Sequence, residues 1–402
     1  MHSKNYIRNA LTLGLITAIG PFAVDMYLPA LPSIGTGFGV ESNVVVLSMT
    51  AFFLSFGLFQ IVFGTLADVA GRKLPLYIGI GLFIAAGMGC ALAGDIHTLI
   101  ALRFIQGIGG AASVIVPRAI VRDLYRGVEE VKMMSLLMLV FSVSPLLAPL
   151  AGSFIINASG WRAVFWMISL LGFAGLMLLA FGVRETLPKE KRIKSDLKTM
   201  ATAYRSLFAD KAFMGMTFIG TFSITAFFIY LGNSAFALRD YYHFTPMQYS
   251  LAFSCNALAF FMASQFNSWL GKKFGMARVM LPAALCFSIV MTAAAILFWL
   301  GVDNFWIISV LLFISFSFVG ILLPTVMVLS LEKHGDIAGT AASFMNTAQL
   351  LIGALIMGAG GSLIKGNILI MLAMMAMSSL ICLGFTLWTF RQPKQKAVTE
   401  AA

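Results

Sequence analysis

Apolar residues fall along this chain in long runs of about twenty, separated by short polar turns. A helix that crosses a bilayer needs ~20 mostly apolar residues. The runs predict twelve such helices. Six lie in the first half, over 9–30, 43–64, 75–94, 98–118, 133–157 and 161–183. Six lie in the second, over 213–237, 247–269, 279–300, 305–330, 338–362 and 367–390. Lys4 and Arg8 ahead of the first run imitate the basic end of a signal peptide. That run carries Pro21, Asp25 and Pro29, and eleven more follow it, so it reads as a retained first helix. The one long polar stretch, 184–212, splits the chain into two six-helix halves, 1–183 and 213–390, with a tail over 391–402. The expected fold class is therefore an all-α polytopic membrane protein. Two equal halves around a central site is an architecture that transporters use.

Composition agrees with this. Hydrophobic residues make up 60% of the chain and charged residues 11%, against ~45–50% and ~25% in a soluble domain. The net charge of +11 follows from topology rather than from a nucleic-acid partner. With the N-terminus in the cytoplasm, all but four of the 27 lysines and arginines fall on cytoplasmic segments. The exceptions are Arg162, Arg239 and Lys365 in outer loops and Arg103 inside a span. Positive charge on the inner face sets orientation, so both termini are expected to be cytoplasmic. Cys90, Cys255, Cys286 and Cys382 each sit in apolar stretches and read as buried hydrophobes. No histidine–cysteine–acid spacing suggests a metal, and no G-x-x-x-x-G-K-[ST] loop suggests ATP. No cofactor is expected beyond the proton as a coupling ion.

Between the second and third spans stands "GTLADVAGRKLPL" (64–76). Gly64 and Gly71 allow a tight turn and close helix approach, Asp68 can cap or pair, and Arg72 and Lys73 hold the inner face. The loop resembles the signature G-x-L-A-D-x-x-G-R-K of the major facilitator superfamily. That resemblance implies a loop that latches the two halves in the outward-facing state. "LIALRFIQGIGGAA" (99–112) is similar to the family's motif on the fourth helix, with Arg103, Gln106, Gly107 and Gly110 in register. "SVSPLLAPLAGSF" (142–154) resembles the family's antiporter motif, with alanines at two usual glycine positions; Pro145, Pro149 and Gly152 keep its bends and small residues. "DMYLPALP" (25–32), "PRAIVRDLY" (117–125), "GWRAVFW" (160–166) and "DIAGTAASF" (336–344) look like the Bcr/CflA group. The resemblance implies a drug:proton antiporter of the bacterial inner membrane, acting on phenicol- or bicyclomycin-like compounds.

Asp25 is the carboxylate that the pattern leaves well inside a span, and Arg103 is its cationic counterpart. A central aspartate costs about 2.5–3.5 kcal/mol to insert, so such a residue is a functional candidate by default. At ~1.5 Å per residue both are expected roughly 8 Å from the outer helix ends. There they act as a proton-binding carboxylate and its tuning cation, or as a fixed pair joining the first and fourth helices. Tyr27, Tyr230, Asn233, Asn256, Asn346 and Gln349 are the polar groups expected either to orient a substrate in a Phe- and Met-rich cavity or to bond between helices. The absence of a second acid disfavours dications and favours neutral, zwitterionic or singly charged amphiphiles. The leading expectation is a monomeric proton-coupled exporter of small drugs by alternating access. Export of a metabolite such as an amino acid, sugar or siderophore would use the same parts. A membrane enzyme would need an acid, histidine or serine cluster that the pattern lacks. A transporter-like sensor would need a soluble domain, for which the tail is too short.

Overall fold

The computed structural model describes residues 2–192, 197–332 and 334–391. Part of the linker (193–196), Lys333 and the tail from 392 onward lie outside the described residues. Lys194, Lys333, Lys394 and Lys396 of the charge count go with them.

Among the described residues every regular element is helical. The first half holds α1 (His2–Asp25), α2 (Leu31–Phe38), α3 (Ser42–Ala70), α4 (Lys73–Leu92), α5 (Ile96–Leu124), α6 (Gly127–Ser159) and α7 (Trp161–Gly182). A short helix α8 (Leu197–Ala209) follows in the linker. The second half holds α9 (Lys211–Tyr242), α10 (Pro246–Phe274), α11 (Met276–Trp299), α12 (Phe305–Leu331), α13 (Ala338–Ile364) and α14 (Ile368–Arg391). Among the described residues, eleven helical stretches are long and apolar enough to cross a membrane, the first of them, Tyr6–Phe38, running through α1 and α2. The twelfth expected span, α10, is as long but carries Gln248, Ser250, Ser254, Asn256, Gln265 and Asn267, and several of these are used against neighbouring helices.

Side chains on linking residues start the helices. Asp95 accepts from Thr98 N at 2.9 Å ahead of α5, and Asp210 accepts from the N–H groups of Ala212 and Phe213 ahead of α9. Thr245 and Gln248 cap each other ahead of α10. Such caps satisfy N–H groups that the first turn leaves open. Within the first half, a Cβ on Gly107 would collide with the Phe52 carbonyl, and one on Gly109 with the Gly79 carbonyl. Those two glycines bring α5 against α3 and α4 at backbone distance, the small-residue packing that lipid favours.

The halves meet along two seams, α3 against α13 and α6 against α10. On the side away from the termini the first seam is closed: Gly358 faces Thr50, Gly361 faces Val46, and Lys365 pairs with Glu41 at 3.1 Å. Toward the termini the seam ends at Asn346, which donates to Gln60 at 2.8 Å. Beyond that bond the halves part around a cleft of about 870 Å³. A second opening of about 450 Å³ separates the same ends of α6 and α10.

Two expectations need correction. Only Cys90 and Cys382 are buried; Cys255 and Cys286 are exposed, since a lipid-facing position accepts an apolar thiol as readily as the core does. The first span does not end near Ala30 but continues through α2 to Phe38.

Candidate functional site

The longer first span changes the depth of Asp25. It is the last residue of α1, with a 3₁₀ turn at Leu28–Ala30 before α2 resumes, so it lies well inside the span rather than near its outer end. The chain breaks there for a backbone reason. Pro29 has no N–H to give the carbonyl four residues earlier, which is that of Asp25 itself. The side chain is 5% exposed and accepts a hydrogen bond from Ser144 Oγ at 3.0 Å. Ser144 directly precedes Pro145 on α6. Two turns further along α6, Gly152 lies against the backbone of Met26, where a Cβ would collide with the carbonyl. The broken segment of α1 thus sits on the proline-bent part of α6. α10 of the second half packs against the 3₁₀ turn that follows Asp25, which brings the two halves together near the same point.

Arg103 is fully buried, but no ion pair joins it to Asp25. Its Nη1 donates to Gln106 Oε1 at 2.7 Å and to Ala23 O at 3.4 Å. Its guanidinium lies 4.3 Å from the Phe52 ring centroid and 4.5 Å from that of Tyr27. A desolvated cation over an aromatic face gains ~2 kcal/mol. Tyr27 in turn bonds Ser48 at 2.7 Å. It therefore props up Arg103 instead of facing a cavity. Nε and Nη2 of Arg103 are buried without a hydrogen-bond partner. Arg103 and Asp25 touch the same turn of α1, the first through the Ala23 carbonyl, yet each has its own hydrogen-bond partner.

The other polar candidates divide. Asn346 and Gln349 line the 870 Å³ cleft together with Gln60. Asn256 donates to Tyr230 Oη at 3.0 Å, and both border a void of only about 10 Å³. Asn233 donates to the carbonyl of Ile229 in its own helix at 3.0 Å. These three are buried apart from the cleft.

The glycine-rich loop makes a charge cluster at the cleft wall. Gly71 sits at φ 96°, a conformation open mainly to glycine, and a Cβ on Gly64 would meet Ile115 of α5 only at ordinary contact distance. Arg72 contacts Asp68 Oδ1 at 2.6 Å and Asp123 Oδ2 at 2.8 Å. Partial burial disfavours its cation, but hydrogen bonds from it to Asp123 and Asp68 outweigh that and raise its pKa. Glu185 accepts from the backbone N–H groups of Arg72 at 2.9 Å and Lys73 at 3.1 Å. Lys73 itself points over the Tyr77 ring. Ser144, Gln106, Asp123 and Glu185 escaped the sequence reading as site members. Asp123 stands in the quoted segment 117–125, five residues past the expected end of the fourth span, and Glu185 two residues past that of the sixth, but nothing in the spacing tied them to Arg72. On the other seam, Ser250 and Ser254 of α10 donate to the carbonyls of Pro149 and Leu146, each at 2.9 Å.

The family model described as Major Facilitator Superfamily matches residues 13–358. The chain belongs to the Major Facilitator Superfamily. As a member of that superfamily it is a multi-pass membrane transporter rather than an enzyme. It is 33% identical over 359 residues, 88% of each chain, to an uncharacterized MFS-type transporter YdgK of Bacillus subtilis. It is 31% identical over 348 residues, 86% of each chain, to a bicyclomycin resistance protein homolog of Haemophilus influenzae. Multidrug resistance protein D of Escherichia coli is 27% identical over 352 residues, 87% of each chain. These relatives bear out the resemblance read from the motifs. The crystal structure of a D-xylose-proton symporter superposes with a TM-score of 0.77 at 18% identity, covering 96% of this chain and 97% of that one. At that identity the likeness speaks for the major facilitator fold alone.

Proposed function

We propose that this transporter is a proton-coupled exporter of small amphiphilic drugs, phenicol- or bicyclomycin-like in size, with Asp25 as the carboxylate that takes up and releases the proton. One observation carries the reading. A buried carboxylate with a single side-chain donor, Ser144, stands where α1 is broken and α6 is bent. An ionisable group at such a depth is a functional candidate, and a change in its charge acts directly on the two helices that would have to move. The relatives named for bicyclomycin and multidrug resistance support the drug class. In this reading both termini face the cytoplasm of a bacterium, the cleft opens to that side, and drug enters through it. The basic loops that define the inner face support the orientation. The driving force suffices in principle: one charge moved through ~100 mV is worth about 2.3 kcal/mol, roughly a 50-fold gradient.

The test is uptake of a phenicol and of a lipophilic cation into inside-out vesicles under an imposed pH gradient, comparing wild type with Asp25→Asn. Substrate-dependent proton release is expected in wild type and absent in the variant at equal protein level. If the variant still exchanges drug for protons, Asp25 is structural and the mechanism fails. If wild type moves neither compound, the phenicol-like assignment fails, and an anionic drug or a metabolite takes its place.

A further inference from the structure

The cleft is not electrically neutral ground. Among the described residues, five charged side chains line it: Asp68, Arg72, Arg118, Arg122 and Asp123. Both acids are engaged by Arg72, and Asp123 also accepts from Thr186 Oγ1 at 2.8 Å. That leaves Arg118 and Arg122, four residues apart on α5 and therefore on one face of it. Among the described residues neither makes an ion pair or a side-chain hydrogen bond. Arg118 is the deeper of the two. Its Nε is buried with no partner, and its guanidinium rests 5.7 Å from the ring centroid of Phe141. Arg122 adds a second positive charge one turn further along the same face. Like charges at this spacing are unfavourable on a helix, more so where the wall is apolar and the dielectric low. At the inner end of the same cleft stand the amides of Gln60, Asn346 and Gln349, and between lie apolar groups such as Ile61, Ile115 and Met345.

Taking the cleft as the substrate's way in, as the proposed function does, we infer that this transporter selects amphiphilic organic anions. The carboxylate, sulfonate or phenolate of such a substrate pairs with Arg118, with Arg122 capturing it at the mouth. Its apolar body lies along α5 and α13. A planar guanidinium matches a carboxylate with two parallel hydrogen bonds. A lipophilic cation meets a wall whose formal charge is already positive. The inference has an electrical consequence. Exchange of one anion outward for one proton inward moves two charges in the same sense, whereas exchange of a monovalent cation for a proton moves none.

The experiment is equilibrium binding to the detergent-solubilised full chain, with no gradient present, of three probes that share one ring system. They are naphthalene-2-carboxylate, its methyl ester, and the naphthyl trimethylammonium cation. Wild type is expected to bind the carboxylate at least tenfold more tightly than either other probe, less so as salt rises. Arg118→Gln should abolish that preference, while Arg118→Lys should restore part of it. Equal affinity for all three probes, preference for the cation, no measurable binding of the carboxylate, or a preference that survives the Arg118→Gln, Arg122→Gln double variant each overturns the inference. The preference of wild type is decisive even if a variant fails to fold. The outcome is also separable from proton coupling. Carboxylate preference without proton exchange sinks the coupling mechanism alone. Proton exchange of the ammonium probe without charge preference sinks this inference alone.

Discussion

Gly152 is the residue on which the α1–α6 contact turns. It stands against backbone rather than against a side chain that could swing away: the Met26 Cα is 3.0 Å from where a Cβ would be, and the carbonyl is closer still. Gly152→Val is expected to cost about 1–3 kcal/mol through overpacking, read as a fall in the thermal unfolding midpoint in detergent. It should also impair transport more than that loss of stability accounts for, because the atoms it displaces belong to the turn that carries Asp25. A variant with unchanged melting and full transport would show that α6 has room to retreat. The value of Asp25 and Arg103 was visible in the sequence because charge is rare in lipid-facing helices. Their failure to pair was not. Sequence spacing gives depth along a helix but not rotation about its axis, and here Arg103 turns toward Gln106 and two rings while Asp25 turns toward α6. The depth estimate failed as well, since α2 extends the span with "LPSIGTGF", whose glycines and proline read as a turn.

The loop joining α3 to α4 is organised by the element that follows α7. Glu185 is exposed, yet its carboxyl is held below the usual carboxylate range. Partial burial pushes it up, and backbone N–H groups of Leu187, Arg72, Lys73 and Thr186 outweigh that. A depressed folded value means the stabilisation is complete above the unfolded pKa, about 4.3, and is lost as pH falls through the folded value. The melting difference between wild type and Glu185→Gln should therefore stay constant from about pH 8 to pH 6 and vanish only in strong acid. At this exposure it should amount to less than about 1 kcal/mol. A difference that changes near neutrality would point to another group. The loop itself was legible because glycine, acid and base recur at fixed offsets. The linker helix α8 was not. Its "LKTMATAYRSLFA" lies within the long polar stretch, and one apolar stripe on a short segment is weak evidence for a helix. The structure gives the stripe a partner: Phe208 packs edge-on against Phe344 of α13 at 4.8 Å.

Two bundles closed at one end and parted at the other give a molecule whose large opening lies on the side of the termini. The α3–α13 seam is sealed by small residues, and Thr50 stands 2.6 Å from where a Cβ on Gly358 would be. Gly358→Leu is expected to wedge that seam and shift the population toward the opposite opening. Maleimide labelling of a cysteine placed at Ser343, in the cleft, should then slow about tenfold for each ~1.4 kcal/mol of bias. Unchanged labelling would mean that the seam yields locally instead of steering the bundles. The other seam differs in kind, and Ser250 shows how. Its hydroxyl lies 2.9 Å from the Pro149 carbonyl across the interface and 2.9 Å from the Pro246 carbonyl of its own helix. One hydrogen has two equidistant acceptors. When α10 draws back from α6, the proton need only swing toward its own helix, so separation strands no donor in hydrocarbon. The lost bond leaves one carbonyl to be wetted, beside a proline that had already loosened that stretch of backbone. A contact of this sort registers the closed position and yields it with little resistance, which is what a carrier requires of a surface that must part on every cycle.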